Sequence, residues 1–148
     1  MNFDHAAEAP LQVIEIESTL EATCEPEQMI LRELTRCEYH EDAIFDVQLA
    51  LAEAFANAVK HGNRGDRTKR ITVRFSVTPN RVVIRVQDQG AGFQPSVVPD
   101  PTQPSRRLLP TGRGILLMRA HMTEVHYGAG GTEVCLIKQN DHQSDSRL

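Results

Sequence analysis

The stretch VQLALAEAFANAVKHG, residues 47–62, sets the reading of the whole chain. Between Val47 and Val59 nearly every position is apolar or small, the pattern of a helix with most of its faces buried. Glu53 and Asn57 interrupt that pattern four residues apart, and His61 follows four later. Residues at i and i+4 stand above one another, so the three form one polar stripe. A buried carboxylate is costly unless it has partners or a task. Lys60 offers Glu53 a purely structural partner, and Asn57 can bond backbone, so the helix alone leaves both accounts open. His61 in turn can interact with the dipole of a helix expected to run from about Glu41 to His61 and stop at Gly62-Asn63.

Downstream, RITVRFSV (70–77) and RVVIRVQD (81–88) alternate strictly around Pro79-Asn80, which predicts an antiparallel hairpin. Directly after it comes Asp88-Gln89-Gly90-Ala91-Gly92-Phe93. Two glycines one apart allow a sharp turn and close approach of a ligand, and an Asp at a strand end can accept a hydrogen bond from an amino group. A plain Asp-x-Gly turn has the same look. The segment 94–110 carries Pro95, Pro99, Pro101, Pro104 and Pro110, which rules out regular structure and predicts a mobile surface loop. It leads into Pro110-Thr111-Gly112-Arg113-Gly114-Ile115, a Gly-rich turn opening an apolar helix, GILLMRAHM. Bare N–H groups at such a helix start attract phosphate, and Arg106, Arg107 and Arg113 add positive charge; a glycine hinge with solvated arginines is the bland account.

Strands TEVHY and TEVCLIK, joined by GAGG, close the ordered part, and a polar tail follows over 139–148. Upstream, Leu11 to Ile16 alternates as a half-buried strand. From Pro26 a helix presents Met29, Ile30, Leu34 and Cys37, a stripe that belongs more naturally to core than to an interface. With strands and helices segregated, the expected class is α+β: one domain, core about 11–138, a two-layer α/β sandwich whose mixed sheet carries helices on one face.

Composition agrees with an ordinary soluble domain of 148 residues, 40% hydrophobic and 24% charged, and a net charge of -4 argues against a generally basic nucleic-acid surface. No apolar run is long enough for a bilayer, and the N-terminus lacks the shape of a signal peptide. Cys24, Cys37 and Cys135 form neither a disulfide framework nor a CxxC pair. His5, His40, His121, His126 and His142 show no metal spacing. The cytoplasm is the expected compartment, with no membrane and no nucleic acid as partner.

Taken jointly, the three motifs are more specific than any one of them. Their order and spacing, over roughly Leu34 to Lys138, resemble the three nucleotide-binding boxes of the Bergerat ATP-binding fold of the gyrase/chaperone/histidine-kinase (GHKL) superfamily. Thr132 after Gly130-Gly131 is similar to that superfamily's Gly-Thr strand near adenine. EAFANAVKHG, DQGAGF and GRGILLMRAHMTEV, with a Gly-rich turn after them, most resemble the anti-sigma-factor serine/threonine kinases.

The resemblance implies ATP and Mg²⁺ as cofactors. Asp88 would bond the adenine amino group, Gly90 and Gly92 would shape the pocket, and Thr132 would line its adenine end. Asn57 would give Mg²⁺ an oxygen. Gly112, Arg113, Gly114 and Ile115 would cradle the phosphates under a Pro-rich lid from which Arg106 and Arg107 reach them, and His61 could touch phosphate. Glu53 would be the general base for a serine or threonine of an anti-sigma-factor antagonist, a sigma factor would be the sequestered partner, and a homodimer is usual. The region Met29–Cys37 is where that family's partner contact would be sought. Two other readings compete: an ATP-dependent partner-binding switch without kinase activity, and the stand-alone catalytic half of a split histidine kinase. Intact Glu53 argues against the first of these; a whole histidine sensor kinase, which normally places its phospho-accepting histidine on a separate helical segment, is not expected, for want of room before the Glu53–Asn57 motif.

Overall fold

Alternation of apolar and polar residues draws five segments into strands: β1 (Gln12–Glu17), β2 (Arg70–Val77), β3 (Arg81–Gln87), β4 (Glu124–Gly128) and β5 (Glu133–Gln139). Helical spacing gives α1 (Cys24–Arg36), α2 (Glu41–Ala56) and α3 (Pro110–His121). The computed structural model describes residues 11–91 and 110–141, residues 110–115 through their backbone alone. The expected loop over 94–109 and most of the polar tail lie outside the described residues.

The strands form one sheet in the order β1-β2-β3-β5-β4. Every neighbouring pair is antiparallel, so the expected mixed sheet is corrected to an antiparallel one. The reason is topological. Strands β3 and β4 run in the same direction on either side of the α3 crossover, but β5 folds back as a hairpin partner of β4 and inserts between them. The parallel relation survives without a parallel pair.

Because side chains alternate across a strand, one face of the sheet is apolar throughout its centre. Ile71, Val73 and Phe75 of β2 and Ile84 of β3 meet Ile30 and Leu34 of α1 and Leu51 and Phe55 of α2 in one continuous core. Full burial of each such side chain contributes about 1.5–3 kcal/mol. The stripe on α1 is therefore core, as its spacing suggested: Ile30 and Leu34 are fully buried, with Met29 and Cys37 packed beside them. On the opposite face Val83, Cys135 and Ile137 make a small separate cluster. Burial there pushes the Cys135 thiol up to about 11, which suppresses its reactive thiolate. None of the helices among the described residues is long and apolar enough to cross a membrane.

Two helix boundaries differ from expectation. Helix α2 keeps α geometry only to Ala56 and then widens into a π-turn over Asn57–Gly62. That turn is closed by the Asn63 N–H donating to Ala58 O at 2.8 Å, and the Gly65 N–H reaches Val59 O, also at 2.8 Å. Left-handed Arg64 (φ 53) and Gly65 (φ 73) then reverse the chain. The wide turn lets Asn63 enter the protein interior, where it is fully buried and hydrogen-bonded. Helix α3 begins at Pro110, a residue suited to a first helical position because no N–H is needed there. Gly112 and Gly114 thus lie within its opening turns, not in a turn ahead of it.

Asp46 of α2 joins the helices to the sheet. Its carboxylate pairs with His121 Nδ1 of α3 at 2.8 Å and accepts from Lys138 Nζ of β5 at 3.1 Å, while the same ammonium donates to His121 O at 2.7 Å. Burial works against the ionised carboxylate, but the bonds from His121 and Lys138 outweigh it and hold Asp46 below the ordinary carboxylate range. A depressed carboxyl stabilises the fold above its unfolded-state pKa, and the contribution disappears as pH falls through the folded-state value. Asp46→Asn is expected to lower stability at pH 7 by about 1–2 kcal/mol and to flatten the acid limb of the stability curve; denaturant melts of both proteins from pH 7 to pH 2 check this.

Candidate functional site

Strand β3 delivers Asp88 to the end of the sheet, and the Asp88 N–H donates to Thr132 O at 2.9 Å, tying that strand end to the start of β5. The Asp88 carboxylate accepts from the Gly90 N–H at 2.7 Å, which tightens the turn that follows. Burial raises the Asp88 carboxyl above the ordinary range; the Gly90 N–H and the charge of Lys69 pull the other way. A half-buried carboxylate held there is a good acceptor for a ligand's amino group.

A cavity opens beside it. Its polar lining includes Asp88, Asn57, His61 and Thr132, and its apolar lining includes Val86, Val134, Met118 and Ala54. The cavity offers about 130 Å³ to the centres of water-sized atoms. One water needs only about 10–15 Å³ on that measure, so the space suits a small molecule. Tyr127 of β4 forms part of the wall, and burial pushes its phenol up to about 12, leaving it neutral. Thr132 Oγ1 donates to Ala129 O at 2.8 Å, which orients the hydroxyl and keeps its lone pairs available.

The helix end and the Asp88 turn approach closely. A Cβ on residue 90 would strike the Gly62 carbonyl, and a Cβ on residue 62 would strike the Asp88 carboxylate. Gly90 is required by backbone approach, and Gly62, which the sequence marks only as a helix stop, leaves room for the Asp88 carboxylate.

Of the residues singled out from sequence, Asn57, His61, Asp88 and Thr132 come together on this cavity. Gly90 shapes its turn. Glu53 is half-buried one turn before Asn57 and is not part of the lining. Among the described residues it has no ion pair, so the structural partnership with Lys60, which is exposed, is not formed. Burial and the nearby Lys60 charge lower the pKa of His61, which keeps it neutral near pH 7. Gly112, Arg113, Gly114 and Ile115 occupy the opening turns of α3. Gly92, Arg106 and Arg107 lie outside the described residues. Sequence reasoning missed Asn63, Tyr127, Met118 and Arg64. The alternation of β4 could have placed Tyr127 on the helix side, but no local signal marks a gap in the core there.

No group of three or more His, Cys, Asp or Glu that could hold a metal occurs among the described residues. The one amide oxygen of Asn57 fits a hard cation whose other ligands are phosphate and water oxygens.

Comparison with known proteins agrees with this geometry. A family model described as "Histidine kinase-like ATPase domain" matches residues 16–138. A protein named serine-protein kinase RsbW from Bacillus licheniformis is 38% identical over 93 residues, 59% of this chain and 58% of that protein. Its namesake from Bacillus subtilis is 32% identical over 111 residues, 70% of this chain and 69% of that protein. The chain thus spans under two thirds of the first relative's length. A solved structure of the RsbU and RsbW domains of a Mycobacterium tuberculosis protein superposes with a TM-score of 0.57 at 20% identity, covering 89% of this chain and 32% of that one, a likeness of fold.

Gly90→Ala is expected to cost about 1–3 kcal/mol because backbone, not a movable side chain, occupies the Cβ position. Ala91→Ser, one residue on and exposed, should stay within about 0.5 kcal/mol of the parent. Thermal melts of the two variants separate these outcomes.

Proposed function

The chain belongs to the histidine kinase-like ATPase domain family, and we propose that it is an ATP-dependent serine/threonine protein kinase that also acts as an anti-sigma factor. The observation that carries this reading is the half-buried Asp88 carboxylate lining a partly apolar cavity that Asn57 also lines. The names of the Bacillus relatives, serine-protein kinases, support the choice of acceptor.

In this reading Asp88 accepts a hydrogen bond from the adenine amino group, and Val86, Val134 and Met118 exclude water around the ring. Thr132 borders the base. Arg106, Arg113 and the Gly112, Gly114 and Ile115 backbone bind the phosphates, where the opening of α3 favours negative charge. Mg²⁺, when bound, neutralises phosphate charge with Asn57 as a protein ligand. His61, which lines the cavity, contributes a hydrogen bond to phosphate. Glu53 accepts the proton of a serine or threonine hydroxyl as its oxygen bonds to the γ-phosphorus. The bridging P–O bond to the β-phosphate breaks at the same time, and ADP leaves with the electron pair. The acceptor belongs to an anti-sigma-factor antagonist, the sequestered partner is a sigma factor, and the active species is a cytoplasmic homodimer.

Transfer of labelled γ-phosphate to a panel of antagonist proteins tests this. Glu53→Gln should bind MgATP normally and lose about 10²–10⁴ in transfer rate. Binding by the parent without transfer to any of the panel would favour a nucleotide-dependent binding switch, and transfer to a histidine would favour a split histidine kinase. A second outcome separates Asp88 from the rest. Its raised pKa means that the ionised carboxylate costs the unliganded fold stability at neutral pH, a cost that disappears as pH falls through that pKa. Asp88→Asn should therefore melt no lower than the parent at pH 7 while losing about ten- to a hundredfold in ATP affinity, measured by calorimetry.

A further inference from the structure

Asn63 is the one fully buried side-chain amide among the described residues, at 0% exposure. It stands immediately after the π-turn of the helix and joins three segments far apart in the chain. Its Nδ2 donates to Ser18 Oγ at 3.0 Å, beyond the end of β1, and to Arg70 O at 3.1 Å, at the start of β2. Its Oδ1 accepts from the Gln89 N–H at 2.8 Å, between Asp88 and Gly90. An N–H can only donate and a carbonyl can only accept, so these partners fix which end of the amide faces which neighbour. The Gln89 side chain closes the arrangement, its Oε1 accepting from the Arg70 N–H at 2.7 Å.

The two ends of the amide therefore do different work. The Nδ2 end is bonded to the scaffold, and the Oδ1 end holds the peptide that directly follows Asp88. This peptide lies in the turn where Gly62 and Gly90 leave no space for a Cβ. A shift of Gln89 would carry Asp88 with it, since the Asp88 carboxylate is itself bonded to the Gly90 N–H.

We propose that Asn63 is a positioning residue for base selection: through the Gln89 N–H it holds the Asp88 turn at the distance from the helix end at which the carboxylate meets an exocyclic amino group. This rests on the reading of the cavity as an adenine-nucleotide site. Asn63 touches no nucleotide itself and acts through the turn.

The test compares affinity for ATP with that for purine riboside triphosphate, which lacks the 6-amino group, in the full chain and in variants at Asn63 and Ser18. The parent should prefer ATP. Asn63→Ala should lose about tenfold of that preference, comparable to one charge-assisted hydrogen bond, with binding of the analogue changed less. Ser18→Ala, which removes a partner of the Nδ2 end alone, should lower Tm and leave the preference intact. An Asn63→Ala protein that folds and keeps the preference overturns the proposal, as does a Ser18→Ala protein that loses it equally. Should Asn63→Ala not fold, Asn63→Asp decides the matter: its carboxylate still accepts the Gln89 N–H, so the preference should persist at a lower Tm, and its loss overturns the proposal. A parent chain that binds neither nucleotide overturns the nucleotide reading and this inference with it.

Discussion

Backbone meets backbone where the helix after Asn57 reaches the turn after Asp88, and the rest of the site depends on that contact. The Gly62 carbonyl occupies the place where residue 90 would carry a Cβ, and the Asp88 carboxylate occupies the place where residue 62 would carry one. A side chain at residue 90 would meet fixed backbone, and one at residue 62 would displace the Asp88 carboxylate. Approach this close brings Asp88 and the Asn57–His61 stripe onto the walls of one cavity. The π-turn over Asn57–Gly62 is closed by the Asn63 N–H bonding back to Ala58 O as the Asn63 side chain enters the interior.

Two anchors, one toward each end of α2 and its π extension, flank the cavity. At the helix start, Asp46 is bonded to His121 and Lys138, which ties α2 to the end of α3 and to β5. At the helix end, Asn63 ties the chain to the ends of β1, β2 and β3. Between these anchors the α2–α3 pair and the sheet leave unfilled space above Val86 and Val134. Narrowing that space would strain the hydrogen bonds at both anchors. A preformed apolar cavity with a few fixed polar groups suits recognition of a flat heteroaromatic ring.

Much of this was legible in the residues, and the failures have physical causes. Alternation in RITVRFSV, and the apolar run Val82–Ile84 set between arginines in RVVIRVQD, identify β2 and β3, with Val83 facing away from the main core. Asp88 was legible as a strand-end acid before Gly90, and Asn57 as a polar break in an apolar helix; both line the cavity. Asn63 was not, because its burial comes from partners at positions 18, 70 and 89 and no local pattern reports contacts of that range. The same holds for the sheet. Insertion of β5 between β3 and β4 is a long-range pairing, so the crossover suggested a mixed sheet where an antiparallel one forms. The NAVKHG segment carries no signature that separates a π-turn from a last α-turn. Glu53 was grouped with Asn57 by its spacing, yet the cavity stops short of it. Its role rests on what lies at the phosphate end.

In the proposed function the cavity beside Asp88 takes the base of ATP. The most direct measurement is a titration of the isotopically labelled protein with MgATP, followed through its backbone amide resonances. The largest shifts should fall on Gly62, Asp88, Ala91, Gly131 and Thr132, which line the cavity, and β1 should stay unchanged. Saturating nucleotide that leaves those five amides unmoved, or moves only residues remote from them, would contradict it.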